Sequence, residues 1–128
     1  MFLHIMPLEK VSAKEVEKLK LSIYTPMGRI IEQLKSKKDF YGSLYEGTAI
    51  LAEENGKTVG WLTLTEWVRC DIDTKYLELN VFVDKEYRKK GIGTKLVECA
   101  ENIANHRILS CPYDAASERF FNNFPGIK

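Results

Sequence analysis

Apolar positions along this chain switch between two periods, and the switches divide it into elements. Phe2, Leu3, Ile5 and Met6 make a short apolar run that Pro7 ends, which predicts an opening strand over Phe2 to Met6. Ser12-Ala13-Lys14-Glu15 then has the form of a capping box, and Val16, Leu19 and Ile23 follow on one helical face. Thr25-Pro26 supplies a second helix start, a capping hydroxyl before a proline, with Met27, Ile30, Ile31 and Leu34 along one side. Asn55-Gly56 between two apolar runs is a two-residue hairpin signal, joining a strand near Thr48 to Glu54 with a longer one near Lys57 to Trp67. A strand over Tyr76 to Val83 comes next, after a polar loop around Asp71, Asp73 and Thr74. In it Leu77, Leu79, Val81 and Val83 share one face, and Glu78, Asn80 and Phe82 share the other.

Beyond a glycine-containing turn, Leu96, Val97, Ala100, Ile103 and Ala104 lay an apolar stripe along a helix. Arg107 to Cys111 reads as a short strand stopped by Pro112, and Ala115 to Asn123 as the last helix. The order strand, two helices, three strands, helix, strand, helix predicts a layered α/β domain with a mixed sheet flanked by helices. No repeat, low-complexity segment or linker interrupts it, so residues 1–128 are expected to form a single domain.

Composition agrees and narrows the function classes. A chain of 128 residues, 45% hydrophobic and 29% charged, can bury a core but is short for two ordinary domains. Lys plus Arg total 19 against 18 Asp plus Glu, so no global charge points to nucleic acid or an anionic membrane. The three cysteines, Cys70, Cys99 and Cys111, are odd in number and far apart, which fits reduced thiols in a cytoplasm rather than a disulfide scaffold. No long apolar run or signal peptide stands out, and the expected protein is cytoplasmic. His4 and His106 are too few and too separated for a metal site.

Chemistry concentrates where the strand ending at Val83 meets Asp84-Lys85-Glu86-Tyr87-Arg88-Lys89-Lys90-Gly91-Ile92-Gly93-Thr94. A helix start leaves about four N–H groups unpaired and carries partial positive charge, so an anion placed there meets ready donors. Gly91 and Gly93 remove Cβ atoms that would hold a phosphate away, while Arg88, Lys89 and Lys90 add charge at the rim. Two familiar nucleotide loops fail on spacing. A P-loop needs glycine next to lysine, but Thr94 separates Gly93 from Lys95. A dinucleotide fingerprint needs a third glycine where this chain has Leu96.

The remaining pattern, Arg88-x-x-Gly91-x-Gly93 directly after a strand, resembles the acetyl-CoA loop of the GNAT superfamily of N-acetyltransferases. Val83-Asp84-Lys85 is similar to the family's Val-Asp-Pro turn, with Lys85 in place of proline, and the run Ala49 to Leu62 looks like its second and third strands. The resemblance spans roughly residues 1 to 124. It implies acetyl-CoA as co-substrate, with its pyrophosphate on Arg88, Lys89, Lys90, Gly91, Ile92, Gly93 and Thr94. The backbone of Val81, Phe82 and Val83 would then hold the pantetheine arm and polarise the thioester carbonyl.

The implied reaction is direct attack of a primary amine on the thioester. An alkylammonium near pKa 10.4 must first lose a proton, at a cost of about 4–5 kcal/mol at pH 7. Glu78 is the first candidate base, since its strand leads to the thioester, with Glu66 and Asp71 behind it. The family often carries an Asn-x-x-Ala-x-x-Leu-Tyr pattern on its last helix, whose tyrosine protonates the CoA sulfur. Here Asp114 takes the asparagine place and Phe121 the tyrosine place, so both are assigned to the cofactor without the usual acid. A thiol of pKa near 8.5 leaves tolerably without help.

The family usually adds two strands after that helix, and only Phe124 to Lys128 follow Asn123 here. Either the acceptor face is open, which suits a protein or peptide amine, or a partner subunit in a homodimer completes it. The runner-up expectation is a CoA-binding or protein-interaction module on the same fold with little transferase activity.

Overall fold

A five-stranded sheet in the order β1-β2-β3-β4-β5 organises the protein. The computed structural model describes residues 1–20, 47–69, 74–104, 107–110 and 115–127. In chain order these are β1 (Phe2–Pro7), a 3₁₀ turn (Leu8–Lys10), α1 (Ala13–Lys20), β2 (Gly47–Glu54), β3 (Lys57–Arg69) and β4 (Thr74–Val83). A second 3₁₀ turn (Lys85–Tyr87), α2 (Ile92–Ile103), β5 (Arg107–Ser110) and α3 (Ala115–Phe121) complete them. The helix predicted from Thr25-Pro26 lies outside the described residues, as do Asp71 and Asp114.

Neighbouring strands β1 to β4 are antiparallel, and β5 joins β4 in parallel. That is the mixed α/β sheet the hydrophobic pattern predicts. Asn55 and Gly56 turn the β2–β3 hairpin with φ of 51° and 77°, the left-handed pair a two-residue turn of this hand requires. Pro7 extends β1 by one residue past the predicted end, pairing with Thr48 at the sheet's edge, where a residue without an N–H costs little. After α3, Ile127 makes a single parallel bridge to Ile108, so the residues past the last helix reach the β5 side of the sheet.

Alternation along the strands sorts side chains onto two faces, each covered by its own helices. On one face Ile50, Ala52, Leu62, Leu64, Leu77, Leu79 and Ile108 pack against Ile92, Leu96, Val97 and Ala100 of α2 and against Phe121, Phe124 and Ile127. Leu79, Leu96 and Val97 are fully buried, each contributing roughly 1.5–3 kcal/mol of burial. The opposite face carries a smaller cluster in which Ala49, Leu51 and Trp61 meet Leu8, Val11, Val16 and Leu19. Gly60 lets α2 approach the sheet, since a Cβ there would stand 3.0 Å from both Ile92 and Leu96 side chains. No described helix is long and apolar enough to cross a membrane.

Candidate cofactor loop and acceptor face

Among the described residues β5 pairs with β4 from Tyr76 to Leu79, opposite Arg107 to Ser110, and the positions that would follow Ser110 lie outside them. Asp84 N–H donates to Val59 C=O at 2.8 Å, which makes Asp84–Val59 a hydrogen-bonded pair at the end of the β3–β4 ladder. Antiparallel ladders alternate, so Phe82–Trp61 is also a bonded pair, while the main-chain groups of Val81 and Val83 turn to the β5 side. Two of the three strand-end residues therefore turn backbone groups to that side, where Val83 C=O accepts from Arg88 Nε. Phe82 does not: its main chain belongs to the ladder, and its ring lies 5.8 Å from that of Trp61.

The loop is built by backbone conformation more than by side-chain caps. Tyr87 N–H closes the 3₁₀ turn on Asp84 C=O at 2.9 Å, and Lys89 and Gly91 then adopt φ of 63° and 81°. Alternating hands of this kind turn successive N–H groups to a common concave side, which favours anions. Gly91 is the N-cap of α2 and has no side-chain cap bond, nor does any acid stand in the first turn. The first α2 N–H groups, from Ile92 to Thr94, thus have no intrahelical acceptor.

The two loop glycines do different work. Among the described residues nothing lies within 4 Å of the position a Cβ on Gly91 would take. A Cβ on Gly93 would instead stand 3.3 Å from Phe120 Cζ and 3.8 Å from Val83 Cγ2. The bare carbon of Gly91 faces open space, whereas that of Gly93 lies where α3 packs on α2. Arg88, Lys89 and Lys90 are exposed. Arg88 also has a structural duty, donating from Nε to Val83 C=O at 2.8 Å with its guanidinium 5.5 Å over Phe82. Lys90 and Lys57 stand over Tyr87, at 5.2 and 5.8 Å from the ring centre.

Glu78 is half-buried on the face of β4 that carries Asn80 and Phe82, as its alternation predicts. Across β3 its register partner is Thr65, Asn80 faces Thr63, and Phe82 faces Trp61. A polar strip therefore continues an aromatic pair along one face of the sheet. Thr63 and Thr65 are each 1% exposed, and neither hydroxyl has a hydrogen-bond partner among the described residues. Phe121 is buried at 8% exposure within the α2 side of the core and meets Phe120 edge to face at 5.2 Å. Phe120, which sequence reasoning passed over, is the α3 ring that reaches the loop.

Glu15, Lys18 and Trp61 gather around Asp84, a grouping that no local pattern predicts. Glu15 Oε2 accepts a hydrogen bond from Trp61 Nε1 at 2.6 Å. The capping box is thus half made: Ser12 Oγ accepts Glu15 N–H at 3.3 Å, but the Glu15 carboxylate turns to the indole. Lys18 Nζ donates to Asp84 Oδ2 at 2.8 Å and lies 4.5 Å over the Trp61 ring.

Strand, left-handed glycine, bare helix start and basic rim meet in one loop of an α/β fold. The family is settled by sequence: the model of the acetyltransferase (GNAT) family matches residues 15–124, and the chain belongs to it. Among solved structures, the ribosomal-protein-alanine N-acetyltransferase from Brucella melitensis biovar Abortus 2308 is 18% identical, with a TM-score of 0.62 over 96% of this chain and 90% of that one. The glucosamine-6-phosphate N-acetyltransferase from Arabidopsis thaliana is likewise 18% identical, with a TM-score of 0.57 over 96% of this chain and 90% of its own. An aminoglycoside N-acetyltransferase in complex with CoA is 16% identical, with a TM-score of 0.61 over 94% of this chain and 88% of its own. At such identities the likeness is one of fold. No curated protein matches the chain.

Proposed function

We propose that this protein is an N-acetyltransferase that moves the acetyl group of acetyl-CoA to a primary amine by direct attack on the thioester. The observation that carries the reading is the open, left-handed Gly91 at the bare start of α2, one 3₁₀ turn after β4, in a chain of this family. Backbone N–H groups of Ile92, Gly93 and Thr94, with Lys89 and Lys90 around them, take the pyrophosphate. The main-chain groups of Val81 and the N–H of Val83, which turn to the β5 side of β4, meet the pantetheine arm. Acetyl-CoA supplies an activated acyl group whose thiolate leaves without covalent help from the protein.

Glu78 receives the acceptor's proton, directly or through water, from the half-buried face beside Asn80. The acceptor is an amine, with a protein or peptide amine favoured over a small metabolite. Calorimetry with acetyl-CoA together with thiol release over a panel of amines and peptides tests the reading. Binding followed by release with at least one acceptor is expected.

One observation favours a second reading, a CoA-binding module with little turnover: Phe121 at the tyrosine place has no proton to give and packs into the core. Tight binding without release on any acceptor would select it. A folded protein that binds no CoA would remove both readings.

A further inference from the structure

Asp84, the residue that opens the phosphate-binding loop, is 9% exposed, and its side chain 12%. Its main chain is committed on both sides, the N–H to Val59 C=O at 2.8 Å and the C=O to Tyr87 N–H at 2.9 Å, so the residue cannot swing away. A fixed negative charge in the segment that leads into a site for a polyanion works against binding, since like charges repel over about a Debye length. Lys18 answers that charge from α1, with Nζ 2.8 Å from Oδ2. Lys18 is itself held over the Trp61 ring, and Trp61 is held by Glu15 three residues before Lys18 on the same helix.

We infer that Lys18 is a positioning residue for the cofactor: it neutralises Asp84 at the foot of the loop and ties α1 to the strand end that carries the pantetheine-binding backbone. The inference rests on the reading that the loop from Arg88 to Thr94 takes the phosphates of CoA. It also gives α1 a part in cofactor binding, although no α1 residue belongs to the loop. A purely structural tie and an electrostatic one differ in a measurable way. Removing either partner breaks a tie, whereas only removal of the lysine leaves a repelling charge.

The test is CoA affinity by calorimetry for the wild type, Lys18→Met, Lys18→Arg, Asp84→Asn and the double variant K18M/D84N, at low salt and at about 0.5 M salt, with a melting curve for each. Lys18→Met is expected to weaken CoA roughly tenfold at low salt, and the difference is expected to shrink at high salt, where the Debye length falls to a few ångströms. Lys18→Arg should keep wild-type affinity. Asp84→Asn is expected to bind CoA at least as tightly as the wild type, and the double variant to recover most of the loss. Should Lys18→Met fail to fold, Asp84→Asn decides alone, because it removes the charge while Lys18 stays.

Equal affinity of Lys18→Met and the wild type overturns the inference, and so does an Asp84→Asn variant weakened as much as Lys18→Met. Wild-type protein that binds no CoA overturns the acetyl-CoA reading itself. The two failures are therefore distinct.

Discussion

Gly93 sits beneath Phe120: a Cβ on the glycine would stand 3.3 Å from Cζ and 3.4 Å from Cε1 of the ring. This close approach is how α3 meets the start of α2, and it draws the phenyl ring to the floor of the loop. Gly93→Ala is expected to destabilise the fold by about 1–2 kcal/mol through overpacking, despite alanine's better helix propensity. Phe120→Leu in the same protein should relieve part of that cost, giving a coupling term in a double-mutant cycle followed by urea unfolding. Additive effects would mean the ring moves aside freely.

Gly91 calls for a different outcome. Its φ of 81° is left-handed and the space around it is open, so Gly91→Ala should cost about 1 kcal/mol from backbone strain alone. Gly91→Asp adds a negative charge at the helix start and is expected to weaken CoA strongly in calorimetry, while melting only slightly below Gly91→Ala. Unchanged affinity would put the phosphates elsewhere.

Thr63 and Thr65 offer a stability reading. Each hydroxyl is buried without a partner among the described residues, and an unsatisfied group costs about 1–3 kcal/mol relative to a satisfied one. Thr63→Val and Thr65→Val keep the shape and remove the orphaned oxygen, so each is expected to raise stability by up to about 1 kcal/mol. Guanidinium unfolding measures this, and a loss in either variant would reveal a partner for that hydroxyl.

Glu78→Gln keeps the size of the side chain and removes the base. It is expected to lower acetyl transfer by at least tenfold at saturating acceptor while CoA affinity holds, general-base assistance being worth about 10²–10⁴. Near-normal turnover in a thiol-release assay would take Glu78 out of the role and move attention to Glu66.

Local signals were legible because their causes are local. Asn55-Gly56 sets its own turn, since positive φ at two successive residues selects those types. The faces of β4 followed from alternation, and Arg88-x-x-Gly91-x-Gly93 could be read because a turn, a left-handed residue and a helix start lie within a few residues of one another. The capping box shows where such reading stops. Ser12 and Glu15 have the right spacing, yet Glu15 is drawn to an indole that lies 46 positions on. A buried Trp N–H needs an acceptor more than an exposed helix start needs a second cap.

The sequence by itself determined the order of the elements, the hairpin, the two faces of β4 and the loop that resembles an acetyl-CoA site. All of these rest on periodicity and on backbone preferences that a few neighbouring residues impose. Only the tertiary structure decided that Gly93 is bare for Phe120 while Gly91 is bare for its own conformation. It likewise decided that Arg88 braces Val83, that Phe121 is buried, and that Lys18 reaches Asp84 across 66 positions. Those facts depend on which side chains the sheet brings within a few ångströms, and packing across the sheet leaves no periodic trace along the chain.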